Sequence, residues 1–138
     1  MTNRLYAKGV DHMLTDVNLT SDNLKSVLVD TNDYTPDFDA DEFLSDIPAV
    51  ARVATSANLT VTVTAGVVDV NDHSYASVSG DVSEALIIYK DTGNASTSPL
   101  LVYVDTATGL PVTPNGTNVN ITIDGGANKL FKWNPVPA

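Results

Sequence analysis

The 138 residues contain no cysteine, which removes disulfides and thiolate metal centres and leaves packing and hydrogen bonding to hold the fold. Cations are scarce as well. Seven Lys and Arg stand against 17 Asp and Glu, a formal net charge of −10, and that balance opposes attachment to nucleic acid by phosphate neutralisation. Long apolar runs are missing: none reaches the ~20 residues of a membrane span. The start, Met1-Thr2-Asn3-Arg4-Leu5-Tyr6, lacks the apolar core and small-residue cleavage site of a secretory signal. The expectation is a soluble protein made and used without export, with neither a nucleic-acid nor a membrane partner.

Catalytic patterns are equally thin. His12 and His73 are the only imidazoles, far apart and without an HExxH-type neighbour, so zinc is not expected. There is no G-x-S-x-G elbow and no Gly-rich phosphate loop. Asp37, Asp39 and Asp41 have the opening spacing of a calcium loop, but Glu42 stands where that loop needs Gly and Pro48 where it needs a bidentate Glu. Turn and cap roles are the better reading of these carboxylates, and no cofactor is expected. Five Asn-x-Ser/Thr tripeptides, from Asn18, Asn58, Asn94, Asn115 and Asn120, read as products of an Asn- and Thr-rich composition. The acidic stretch from Asp30 to Asp46 has no Lys or Arg; it reads as a solvated face, and alternatively as a patch for a basic partner.

What is present is β patterning. Ala85-Leu86-Ile87-Ile88-Tyr89 and Pro99-Leu100-Leu101-Val102-Tyr103-Val104 lack polar alternation and predict neighbouring strands buried on both faces. Leu24–Val29 predicts the first strand. Leu59–Val67 alternates apolar and Thr residues and predicts one half-exposed strand, and Asn71–Ser74 predicts a turn before a short strand at Tyr75–Val78. Strands are also expected over 119–123 and 129–133. Tyr6, Val10, Met13 and Leu14 recur at helical spacing, with Gly9 weakening the pattern. Asp39 or Asp41 could cap one or two helical turns that seat Phe43, Leu44 and Ile47 on the sheet before Pro48 ends them.

The sum is an all-β fold, a β-sandwich or jelly-roll-like body with one or two short helices. Its expected division is an N-terminal helical or extended arm over 1–20, a single β-sandwich domain over 21–133, and a C-terminal tail over 134–138. A chain of this length folds as one domain and buries roughly two-thirds of its unfolded surface.

The ordered set Leu24-Lys25-Ser26-Val27-Leu28-Val29-Asp30-Thr31, Asp33-Tyr34-Thr35, Glu42-Phe43-Leu44-Ser45-Asp46-Ile47-Pro48 with Ala51-Arg52-Val53-Ala54, Ala85–Gly93 and Ser98-Pro99-Leu100 resembles a family of small structural proteins of tailed bacteriophages, the capsid decoration or cement proteins. The likeness runs from Leu5 to Phe131. It implies a non-enzymatic virion protein, made in the host cytoplasm, that binds the outer surface of the head. There it would bridge major capsid protein subunits, as a homotrimer. The expected capsid or inter-subunit contacts are Leu5, Tyr6, Val10, Met13, Leu14 and Trp133. A tail-associated or receptor- or glycan-binding β module is the alternative.

Overall fold

The apolar runs at 85–89 and 99–104 are adjacent strands in the middle of an antiparallel sheet, which is why they carry no polar face. The computed structural model describes residues 3–126 and 129–133; the expected tail lies outside the described residues. In chain order the regular elements are β1 (Arg4–Leu5), α1 (Ala7–Thr15), β2 (Leu24–Val29), β3 (Arg52–Thr55), β4 (Val61–Thr64), β5 (Val67–Val70), β6 (His73–Tyr75), β7 (Ala85–Lys90), β8 (Leu100–Val104), β9 (Val119–Ile121) and β10 (Phe131–Lys132). The result is an all-β fold with a short helix. A five-stranded sheet runs β1-β8-β7-β2-β3, a three-stranded one β10-β5-β4, and a two-stranded one β6-β9.

The five-stranded sheet has an apolar core on each side. Leu24 and Leu28 of β2, Leu86 and Ile88 of β7, and Val102 and Val104 of β8 meet Val68, Val70, Tyr75, Val119 and Ile121 from the smaller sheets, a sandwich-like packing. On the opposite face Val27, Val29, Ala85, Ile87 and Tyr89 are covered by Tyr6, Tyr34, Phe38, Ile47 and Ala51. That second cover comes from Tyr6, at the start of α1, and from the largely irregular stretch between β2 and β3. Phe38 is its centre: the Tyr6 ring lies 5.1 Å away, the Tyr103 ring 5.5 Å edge-on, and the Arg4 guanidinium 4.3 Å above its face. A hydroxyl chain adds polarity, with Tyr6 and Tyr34 2.9 Å apart and Tyr34 donating to Asp41 at 2.6 Å. Burial pushes both phenol pKa values well up, so both stay protonated.

The expected N-terminal arm is docked on the body. Arg4 and Leu5 pair with Tyr103 and Val102, and the Tyr6 N–H donates to the Leu101 carbonyl at 3.0 Å. Register against β7 slips between Ile88 and Tyr89, leaving Leu101 as an extra residue in β8. The chain then turns into α1 over this bulge. Edge backbone of β8 that would otherwise lie open is covered first by β1, then by residues 42–44, which pair with Ser98 and Leu100.

Three local expectations are corrected. Leu59–Val67 is not one strand: β4 and β5 form a hairpin whose two turn residues, Ala65 (φ 52°) and Gly66 (φ 79°), take the left-handed conformation that matches strand twist. His73 and Ser74 lie in β6 rather than in a turn, because they pair with Ile121 and Asn120. The helical turns expected after Asp39 reduce to single 3₁₀ turns at Leu44–Asp46 and Ala49–Ala51. The cap of the first is Asp46, which reaches back to the N–H groups of Glu42 and Phe43 at 2.8 and 2.9 Å. Ile47 enters the second core, while Phe43 packs on the His12 ring instead.

Three of the five Asn-x-Ser/Thr tripeptides have a structural use that composition alone does not suggest. In each of Asn18, Asn94 and Asn115 the side-chain oxygen accepts both the N–H and the hydroxyl of the residue two positions on, Thr20, Ser96 and Thr117. These are Asx turns locked by a second hydrogen bond.

Candidate functional site

Amphipathic spacing on α1 sends Val10 and Met13 toward the β4–β5 hairpin and leaves Leu14 at the rim. There they meet Leu19, Val63, Val68, Phe131 and Trp133, and together these side chains line an open cleft of about 240 Å³. Three of them are exposed large hydrophobics: Leu14 at 70%, Val63 at 46% and Trp133 at 46%. The Trp133 backbone is held in place by its N–H, which donates to the Gly66 carbonyl of the hairpin turn at 2.7 Å. Contiguous exposed apolar surface of this kind is how proteins present a contact face.

Of the six residues expected at a contact, four therefore converge: Val10, Met13, Leu14 and Trp133. The other two do not join them. Leu5 is half-buried against the sandwich core, and Tyr6 is fully buried in the second core with its hydroxyl engaged. Tyr6 thus has no surface to offer a partner while α1 stays docked; its ring serves the core.

The acidic loop is organised by its own backbone. Asp37 accepts the N–H groups of Asp39 and Ala40, and Asp41 accepts that of Asp37 together with the Tyr34 hydroxyl. These are turn and cap roles. A different trio, Asp30, Asp33 and Asp81, brings its carboxylates within 4.8 Å of one another, the set among the described residues close enough to share one cation.

A second cleft, about 400 Å³, is lined by Tyr34, Tyr103, Glu84 and Asp105 among others. Burial raises the Tyr103 pKa, and the charges of Asp105 and Glu84 raise it further. Glu84 is held in place by Thr31, whose N–H and hydroxyl donate to it at 2.9 and 3.2 Å.

Sequence reasoning missed one cluster altogether. Ser26 Oγ lies 2.7 Å from His73 Nε2, and the Tyr75 hydroxyl closes on both. Distance alone suits a nucleophile and its base, but Ser26 is fully buried between the sheets, where no substrate reaches it. Its partners are 47 and 49 positions away in the chain, so no local motif could have announced it. His12 sits elsewhere, bridging Asp16 at 2.9 Å and Glu42 at 3.0 Å.

Compared with known proteins, the chain matches no family and no curated sequence.

Proposed function

We propose that this chain is a capsid decoration protein of a tailed bacteriophage, binding the outside of the head and tying neighbouring major capsid protein subunits together without turning over a substrate. The carrying observation is the apolar cleft between α1 and the β4–β5–β10 sheet, into which an apolar projection of a shell subunit would fit. The sequence resemblance supports the same reading. So does the body around the cleft: an all-β scaffold with an apolar core on each face of its main sheet makes a rigid grip. Attachment as a homotrimer would multiply modest single contacts through avidity.

The test adds the purified chain to heads that lack it and measures co-sedimentation. Leu14 is 70% exposed and Trp133 46%, so Leu14→Asp, in the last turn of α1, should cost about 1 kcal/mol and Trp133→Ala about 1–2 kcal/mol, and both variants should stay folded by circular dichroism. Both should abolish or sharply weaken head binding. Binding equal to that of the unaltered chain would remove the cleft from the interface. Removing the first ~14 residues is a poorer test, because it also removes Tyr6 from the second core and the strand that pairs with β8.

The second reading, a tail-associated or glycan-binding module, draws on the cleft of Tyr34, Tyr103, Glu84 and Asp105, where ring edges and carboxylates share one concavity. A glycan array that scores positive, and turns negative with Glu84→Gln, would favour it over cementing.

A further inference from the structure

β2 and β6 belong to different sheets, and at one point the contact between them is polar, with Ser26 and Tyr75 fully buried and His73 half-buried at the margin of the core. Ser26 Oγ stands 2.7 Å from His73 Nε2 and hydrogen bonds with the Tyr75 hydroxyl, which is itself 3.3 Å from Nε2. On the other side of the ring, Nδ1 lies 2.9 Å from the Asn71 carbonyl. A carbonyl only accepts, so Nδ1 carries the proton and Nε2 of the neutral ring is the acceptor. Every donor then has one direction: Tyr75 donates to Ser26, Ser26 to Nε2, and Nδ1 to Asn71. The Ser26 N–H is held separately, by Ser56 Oγ at 2.9 Å.

Protonation breaks this order. With both ring nitrogens donating, Nε2 no longer accepts, and the trio holds three donors: Nε2–H and the Ser26 and Tyr75 hydroxyls. Whether Ser26 turns to Tyr75 or accepts from both Nε2–H and Tyr75, one hydroxyl proton loses its acceptor within the trio. An unsatisfied buried hydroxyl is costly, and so is the cation beside it. Among the groups around the ring, Ser26 on β2 and Tyr75 on β6 are neutral, and Tyr89 on β7 acts on Tyr75. Ile121, the β9 residue paired with His73, is apolar. Among the described residues Asp72 is the carboxylate that favours the imidazolium, and it is tied to the Ile123 N–H at 2.8 Å. Burial outweighs both Asp72 and the Asn71 hydrogen bond and holds the His73 pKa below its usual value.

We propose that the Tyr75–Ser26–His73 chain is an acid-sensitive clasp, closed near neutral pH and opened by a proton on His73, which frees the β6–β9 sheet from β2 while the five-stranded sheet persists. The inference is independent of the decoration reading.

Amide hydrogen exchange on the full chain tests it, comparing about pH 7.5 with about pH 5.5, on either side of the ordinary histidine pKa. After correction for intrinsic rates, β6 and β9 amides should exchange several-fold faster at the lower pH, because the proton that binds His73 favours the opened form. Those of β2, β7 and β8 should change far less. His73→Gln keeps an acceptor for Ser26 and does not titrate, so it should remove the pH dependence. Unchanged protection of β6 and β9 in the native chain, or the same loss in His73→Gln, overturns the proposal. Should that variant not fold, NMR titration of His73 in the native chain decides: a pKa below the free value with opening in step supports the clasp, and an unshifted or raised value overturns it.

Discussion

Gly9 of α1 rests on the carbonyl oxygen of Leu100, where β8 bulges, and a Cβ at that position would collide with it. Helix propensity alone favours Ala over Gly there by about 1 kcal/mol. The clash acts against that gain, and the carbonyl belongs to a strand paired within the main sheet, so it cannot move away. Gly9→Ala should therefore lower stability by about 1–3 kcal/mol, read as a drop in the urea midpoint. A rise in the midpoint would mean that α1 does not sit on β8.

The Tyr6–Tyr34–Asp41 chain predicts an ordered pair of effects. Tyr6→Phe removes a hydroxyl that donates to Tyr34 and leaves the Tyr34–Asp41 bond intact, a loss of about 0.5–1.5 kcal/mol. Tyr34→Phe strands the buried Tyr6 hydroxyl and strips a donor from Asp41, so it should cost more, about 1–3 kcal/mol. Denaturation of both variants checks the order; equal losses would contradict the chain.

The middle of the main sheet was readable from sequence because β7 and β8 are covered on both faces, and burial on both faces forces continuous apolar runs, while β2 was readable through Leu24 and Val27-Leu28-Val29 around its Lys25-Ser26 pair. The β4–β5 hairpin was not. The alternation of Val and Thr runs straight into Ala65-Gly66, which carries no Asn-Gly or Asp-Gly signal, and Ala65 takes a left-handed conformation unusual for its type. The cover over the second core was legible only in part, because the irregular stretch carrying Tyr34 and Phe38 has no periodicity to detect. The cleft was half visible for a related reason. Val10, Met13 and Leu14 share a helical pattern, whereas Leu19, Val63 and Phe131 reach them only through tertiary packing.

The two histidines should act on stability in opposite directions. Burial works to lower the His12 pKa, but hydrogen bonds to Asp16 and Glu42, with the charges of both, raise it above 6.5. Only the imidazolium can donate from both nitrogens at once. A raised folded pKa means that this contribution is fully present below the unfolded value and is lost as pH rises through the folded one. His73, with its folded pKa lowered, contributes fully above 6.5 and loses that contribution as pH falls below it. Thermal unfolding across pH should accordingly peak near 6.5. His12→Gln should flatten the alkaline side and His73→Gln the acid side. A profile that either variant leaves unchanged would contradict the assigned role of that residue.

On the proposed reading a tailed bacteriophage encodes the chain, and the measurement closest to that claim is the composition of such a phage's purified particles, by quantitative mass spectrometry of separated heads and tails. A gripping protein on the shell exterior should be found on heads, in copy numbers comparable to those of the major capsid protein. Finding it absent from heads, or in the few copies typical of a tail tip, would contradict the account.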